Sequence, residues 1–159
     1  MKQKTLATWL KIILVGVGIC GLIVYLGIFP ICGEAVVYDY PEFSYRFWPW
    51  LIFLWVSGIP CYMALVLGWK IAGNIGRDQS FSNANAKYLK WIAWLAAGDG
   101  IYFFIGNIAF LFANMSHPGV ALFSILVLFV GVAVAVASAV LSYLVQKATA
   151  LQEQSDYTI

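Results

Sequence analysis

Four long apolar stretches separated by short polar joints dominate the sequence, at residues 10–31, 48–72, 88–113 and 120–145. Each supplies the ~20 apolar residues that an α-helix needs to cross a hydrocarbon core of about 30 Å. Hydrophobic residues make up 63% of the chain and charged residues 10%, a balance that is unusual for soluble domains. The sequence therefore predicts a multi-pass membrane protein.

These four stretches leave little chain for anything else. The longest joints, residues 32–47 and 73–87, are too short to bury a core of their own. Lipid offers no partner to backbone amides, and the stretches lack the alternating pattern of a membrane β-barrel. We therefore predict a single all-α domain over residues 1–159, an integral membrane four-helix transmembrane bundle. Its first stretch is expected to be an uncleaved anchor, since no small-residue cleavage motif follows it.

Positive charge is distributed unevenly between the two ends of the predicted helices. Eight of the nine Lys and Arg residues flank the first span, the 73–87 joint or the end of the fourth span, and Arg46 alone lies on the other side. The positive-inside rule predicts that the basic end, with both termini, faces the cytoplasm from a bacterial inner membrane. Because these residues flank spans and form no groove-sized patch, direct nucleic-acid binding is not expected.

The joint on the other side, residues 32–47, and the start of the second span are rich in aromatic residues. Amphipathic rings favour the headgroup layer, so one interpretation is an interfacial belt. Aromatic side chains also dominate binding hot spots, so the second interpretation is a surface for an extracellular peptide or lipid. The candidate residues for that surface are Tyr38, Tyr40, Phe43, Tyr45 and Trp48.

Asp99 is the one acidic residue inside a predicted span. If the third span enters the membrane near Lys90, a rise of about 1.5 Å per residue places Asp99 about 13 Å deep. An aspartate there costs about 2.5–3.5 kcal/mol on insertion scales, so it is expected to face the bundle interior. Tyr102 and Asn107 lie within about 60° and 80° of it on the helix. Two interpretations stay open: a site for a cation, a proton or a membrane-embedded ligand, or a neutral acid that fixes helix register by bonding to Tyr102, Ser57 or a serine of span four.

Patterns for catalysis, metal binding or cofactor binding are not found in the sequence. His117, the single histidine, lies in a predicted outer turn, so neither a histidine metal site nor a Ser-His-Asp arrangement can be assembled. The three cysteines form no CxxC motif and are interpreted as structural small residues. We therefore expect no catalytic residue, no metal, no cofactor and no enzyme activity. Small residues predict close helix packing in span four, where Gly131, Ala135 and Ala139 fall at i, i+4 and i+8 and Ser138 and Ser142 repeat that spacing. The small-residue faces of spans one and four are available for a homo-oligomer.

Short motifs at the basic end of the chain carry a family resemblance. They are Trp69-Lys70-Ile71, the segment Gln79-Ser80-Phe81-Ser82 followed by Asn85 and Leu89, and the acidic tail 150–159. Together they resemble the bacterial membrane family catalogued as domain of unknown function 2975. The resemblance covers essentially the whole chain. It implies a membrane protein whose gene often lies beside that of a small helix-turn-helix regulator.

That association suggests a cytoplasmic regulator protein as partner, besides the lipid bilayer itself. Its predicted docking surface consists of Arg77, Asp78, Phe81, Ser82, Asn85, Glu153 and Asp156, and the alternative is that these residues are only helix caps and a solvated tail. The leading hypothesis is therefore a non-enzymatic regulatory or sensing membrane protein. Two alternatives stay open: an immunity or resistance protein against a membrane-active peptide, and a small transporter or channel subunit that uses Asp99.

Overall fold

The computed structural model describes the backbone of residues 3–156 and the side chains of residues 3–155. Its helices are α1 (Gln3–Leu22), α2 (Phe29–Asp39), α3 (Ser44–Gly76), α4 (Asn83–Phe112) and α5 (Pro118–Asp156). A π-helical segment, Ile23–Ile28, joins α1 to α2, and a short 3₁₀ turn, Pro41–Phe43, leads into α3. No strand occurs within residues 3–156.

Four continuous helical segments are long and apolar enough to cross a membrane: Gln3–Asp39, Pro41–Gly76, Asn83–Phe112 and Pro118–Ser155. This confirms the all-α fold with four membrane-spanning helices. The helices are longer than the apolar stretches, and most of the predicted 32–47 joint is helical. Helix α2 continues to Asp39 because the next strong breaker is Pro41, which holds Tyr40 in a non-helical conformation (φ −134°, ψ 77°).

The π-helical segment has an identifiable cause in the sequence. Pro30 has no backbone N–H, so it cannot donate to a carbonyl one turn earlier. The N–H of Phe29 bonds to the carbonyl of Val24, five residues back, which leaves the Tyr25 carbonyl without a donor from its own helix. The indole N–H of Trp55 on α3 donates to that carbonyl at 2.9 Å. In lipid, where no water is available, this bond satisfies a backbone group that would otherwise be unpaired.

Each membrane-length segment packs against the next one in the chain. Helix α1 contacts α3, α3 contacts α4, and α4 contacts α5, while within residues 3–156 α1 and α5 do not pack against each other. The start of α1, the α3–α4 joint and the end of α5 therefore lie at one end of the molecule, which we call the basic end. Large apolar side chains on the outer faces are exposed, for example Leu122 and Phe129 on α5. These faces are suited to contact lipid tails.

The interface between α4 and α5 follows a spacing of three and four residues along α5. Buried or half-buried side chains recur at Ala121, Ser124, Leu128, Gly131, Ala135, Ser138, Ser142 and Thr149. Alternating spacings of three and four residues are the repeat of coiled-coil packing. The buried face of α5 therefore does not follow a constant spacing of four residues. Ala139, which was predicted on this face, is exposed, and that part of the prediction is wrong.

Candidate functional sites

The carboxyl group of Asp99 lies within the helical assembly and faces α3. Its Oδ2 accepts a hydrogen bond from the Cys61 thiol, with 3.7 Å between sulfur and oxygen. Its Oδ1 is buried and has no hydrogen-bond partner among the described residues. Because buried polar atoms are nearly always paired, an unpaired carboxyl oxygen needs an explanation such as a ligand site.

The partners that the sequence predicted for Asp99 are wrong at two positions. The Tyr102 hydroxyl donates to the backbone carbonyl of Phe53 at 3.3 Å, and the Ser57 hydroxyl donates to that of Leu54 at 2.9 Å. The donor to Asp99 is a thiol on another helix. No spacing rule in a single sequence could have paired two residues 38 positions apart.

Tyr25 joins the same cluster from the π-helical segment. Its hydroxyl lies beside Ser57 and Cys61. Its ring packs on Gly58, where an added Cβ would lie 3.3 Å from the ring carbons. The cluster thus brings together the π segment, the part of α3 that contains Pro60, and α4. Single-turn π-helical distortions are frequent at functional sites.

The other two predicted intramembrane polar residues have separate surroundings. Tyr102 stacks on Phe53, with ring centroids 5.0 Å apart, and keeps about one third of its surface exposed. Asn107 is fully buried, and its amide donates to the Phe103 carbonyl at 2.8 Å. Within the described residues, neither side chain forms a hydrogen bond to Asp99. Asn107 therefore lies outside the Asp99 cluster, and its side-chain oxygen is likewise buried without a hydrogen-bond partner among the described residues.

A cavity of about 740 Å³ adjoins the cluster. It lies between the π segment, α3 and α4, and its walls are almost entirely apolar. Aliphatic side chains and Gly58 make up part of the wall, and the remainder is aromatic: Tyr25, Trp55, Tyr62, Tyr88 and Trp91. The Tyr62 hydroxyl donates a hydrogen bond to the Gly18 carbonyl at 2.7 Å. The part of Tyr62 left to line the cavity is therefore its ring.

A second cavity, which we call the terminal groove, lies at the basic end and has a volume of about 840 Å³. Its walls come from the start of α1, the α3–α4 joint and the end of α5. Four of the predicted docking residues line it: Asp78, Phe81, Ser82 and Glu153. Arg77 is exposed just outside this lining, and the side chain of Asp156 lies outside the described residues.

The α3–α4 joint is held in place by polar contacts that the sequence only partly indicated. Ser82 caps α4 by accepting from the backbone N–H of Asn85, as its residue type predicts. Asp78 takes the left-handed conformation (φ 63°) just after the C-cap of α3, a conformation more common for glycine. Asn85 is almost completely buried, with 1% of its surface exposed. It cannot meet a docking partner, so its assignment to the docking surface is wrong.

The comparisons with known proteins agree with this architecture. A family model described as "Protein of unknown function (DUF2975)" matches residues 32–159. The chain belongs to the DUF2975 family. It is similar to the uncharacterized membrane protein YoaS of Bacillus subtilis (strain 168), at 26% identity over 160 residues and 99% of each chain. No solved structure matches.

The DUF2975 match includes Cys61, Asp99 and the whole terminal groove except its α1 wall, whereas Tyr25 and the π segment precede it.

At the opposite end, the match includes the aromatic surface predicted around the α2–α3 joint. Tyr38, Tyr40, Tyr45 and Trp48 are exposed there, and Phe43 is half-buried against Tyr40 with centroids 5.9 Å apart. A binding role for these rings stays a prediction.

Proposed function

We propose that this DUF2975 member is a non-catalytic regulatory or sensing membrane protein whose terminal groove binds a soluble cytoplasmic protein. The observation that carries the proposal is the convergence of separate chain segments on one groove. Asp78, Phe81 and Ser82 come from the α3–α4 joint, and Glu153 comes from the end of α5, about 70 residues later. Residues that serve only as caps or as a solvated tail have no reason to line one shared concave surface.

The charge of the groove favours a basic partner segment. Among the described residues of its lining, Asp78 and Glu153 are the charged ones, while Lys and Arg residues belong to the same end of the molecule. A segment rich in Lys or Arg is attracted by the two carboxylates inside the groove and repelled by the basic residues outside it. Its favourable position is therefore within the groove. Small helix-turn-helix regulators, the partner class suggested by the family resemblance, carry such segments because they contact DNA phosphates.

Phe81 supplies the apolar contact for such a partner. Its side chain lines the groove, is 58% exposed and directly precedes the Ser82 cap of α4. Exposed aromatic side chains in concave surfaces are typical centres of protein–protein interfaces. A partner that covers Phe81 also covers Asp78 and Ser82, which lie within four residues of it.

Photo-crosslinking in living cells tests the proposal. A benzoylphenylalanine residue introduced at position 81 is expected to form an adduct with a soluble protein identified by mass spectrometry. The same residue at position 38, at the opposite end of the molecule, serves as the matched control and is expected to give no such adduct. Combined Asp78→Lys and Glu153→Lys substitutions are expected to remove the adduct by charge repulsion. Adducts with lipid alone, or an adduct that the two lysines leave unchanged, contradict the proposal.

A further inference from the structure

We propose that the cavity beside Asp99 binds a lipophilic organic cation, with its ammonium group at the Asp99 carboxyl and its apolar part among the aromatic rings. This site lies within the membrane-spanning helices and does not depend on the soluble partner proposed for the terminal groove. Three observations support it: the unpaired acid, its position next to the cavity, and the aromatic walls.

The Asp99 carboxyl lacks a strong partner. The Cys61 thiol that bonds to Oδ2 is a weak donor, and Oδ1 is buried without any donor in the described part of the chain. A carboxylate in this position is stabilised by a cation, and none of the described Lys, Arg or His side chains is bonded to either oxygen. An ammonium group would supply both the opposite charge and the missing hydrogen bond.

Asp99 lies one helical turn beyond the residues that line the cavity. Tyr88, Trp91 and Leu95 line it from α4, and Asp99 continues the same helical face one turn beyond Leu95, about 6 Å along the axis. Tyr25 belongs to both places, because its ring lines the cavity and its hydroxyl lies beside Cys61. Asp99 itself is not part of the lining, so the ammonium group of a ligand in the cavity meets the carboxyl by extending one helical turn past Leu95.

The walls of the cavity suit an organic cation. Five aromatic side chains line it, and the electron-rich face of an aromatic ring attracts an ammonium group. The volume of about 740 Å³ lies within the range of sites for drug-sized molecules. At the basic end of the cavity, the Lys70 ammonium already lies 5.6 Å from the Tyr88 ring centroid. Repulsion from Lys70 directs the ligand's own charge toward Asp99.

The competing occupant is the acyl chain of a membrane lipid. An acyl chain fills the apolar walls equally well, but it leaves Oδ1 of Asp99 unpaired. The two occupants therefore differ in one measurable respect, which is the contribution of positive charge to affinity.

A comparison of two chain-matched ligands on the unmodified protein tests the proposal first. The purified full-length protein is placed in nanodiscs of phosphatidylcholine, and bound tritiated dodecylamine is displaced by unlabelled dodecylamine or dodecanol. Saturable binding is expected, with the amine at least about tenfold more potent than the alcohol because only the amine carries charge. Equal potency, or the absence of saturable binding, overturns the proposal and assigns the cavity to acyl chains.

Variants then locate the charge. Asp99→Asn is expected to weaken dodecylamine binding by about tenfold or more and to leave dodecanol binding unchanged. Asp39→Asn, which neutralises an exposed acid at the last residue of α2, is the matched control. On the aromatic wall, Trp91→Leu is expected to weaken amine binding, whereas Trp94→Leu, on the same helix but outside the cavity lining, is not. Unchanged amine affinity in Asp99→Asn contradicts the proposal.

Discussion

Asn85 is buried at the start of α4, and its side-chain amide bonds in three directions. Its oxygen accepts from the Asn74 amide at 2.8 Å, and its nitrogen donates to the carbonyls of Gln79 and Ser80 at 3.1 and 3.0 Å. We expect Asn85→Ala to lower the free energy of unfolding by roughly 1–3 kcal/mol, because the Gln79 and Ser80 carbonyls lose their donor and the Asn74 amide loses its acceptor. Reversible unfolding in mixed micelles measures it. Asn83→Ala, at an exposed neighbour, is the control, and an equal effect of both substitutions contradicts this role.

The Cys61 thiol is the side-chain donor to Asp99 among the described residues. Cys61→Ala removes that weak donor and is expected to lower the free energy of unfolding by roughly 0.5–1.5 kcal/mol, whereas Cys61→Ser keeps a donor and is expected to cost less. Cys20→Ala, at an exposed thiol of α1, controls for loss of sulfur alone. The same unfolding measurement in mixed micelles compares the three variants. If Cys61→Ala and Cys61→Ser unfold alike, the hydrogen bond to Asp99 does not contribute to stability.

At the scale of the elements, the π segment depends on one proline and one tryptophan. We expect Trp55→Phe to lower the free energy of unfolding by roughly 1–3 kcal/mol, because the Tyr25 carbonyl loses its donor within lipid. In a Pro30→Ala background, residue 30 regains an N–H that can serve the π segment or restore a regular α-helix. Trp55→Phe is therefore expected to cost less in that background than in the natural sequence.

A double-mutant cycle of these two substitutions measures the coupling directly. Trp94→Phe, at a tryptophan on the outer face of α4, serves as the control for loss of an indole. Additive effects of Trp55→Phe and Pro30→Ala would show that the proline and the indole do not act on the same carbonyl.

The sequence predicted the elements that hydrophobicity and backbone chemistry specify. Four apolar stretches of spanning length predicted the four helices, and residue type made Ser80 or Ser82 the expected cap of α4, of which Ser82 is the one observed. The continuation of α2 to Asp39 was missed because Gly33 and Glu34 interrupt the apolar stretch, whereas the helix itself ends only before Pro41. The face of α5 that packs on α4 was predicted from small residues alone. The buried side chains of α5 instead recur at spacings of three and four residues, and Ala139 lies outside that pattern.

The candidate sites were less predictable than the helices. The depth of Asp99 followed from counting residues along one helix, whereas its contact with Cys61 and Tyr25 depends on how three separate segments pack. The same limit explains Asn85, whose residue type suits a surface as well as a buried network. Its burial follows from the path of the 77–82 joint, which no local pattern specifies.

At the scale of the whole molecule, the helices pack in chain order and gather seven basic residues of the described part of the chain near one end. The terminal groove lies at that end, and the exposed aromatic rings lie at the other. A face on each outermost helix remains open to lipid, so the predicted self-association stays a prediction. The proposed docking of a cytoplasmic protein requires that the basic end faces the cytosol, as the distribution of Lys and Arg predicts.

Cysteine labelling in intact cells tests that sidedness most directly. The background protein carries Cys20→Ala, Cys32→Ala and Cys61→Ser, and a single cysteine is introduced at exposed Tyr38 or at exposed Arg77. A membrane-impermeant maleimide is expected to label Tyr38→Cys in intact cells and Arg77→Cys only after the membrane is permeabilised. Labelling of Arg77→Cys in intact cells, with Tyr38→Cys protected, would contradict the orientation and the proposed docking at the terminal groove.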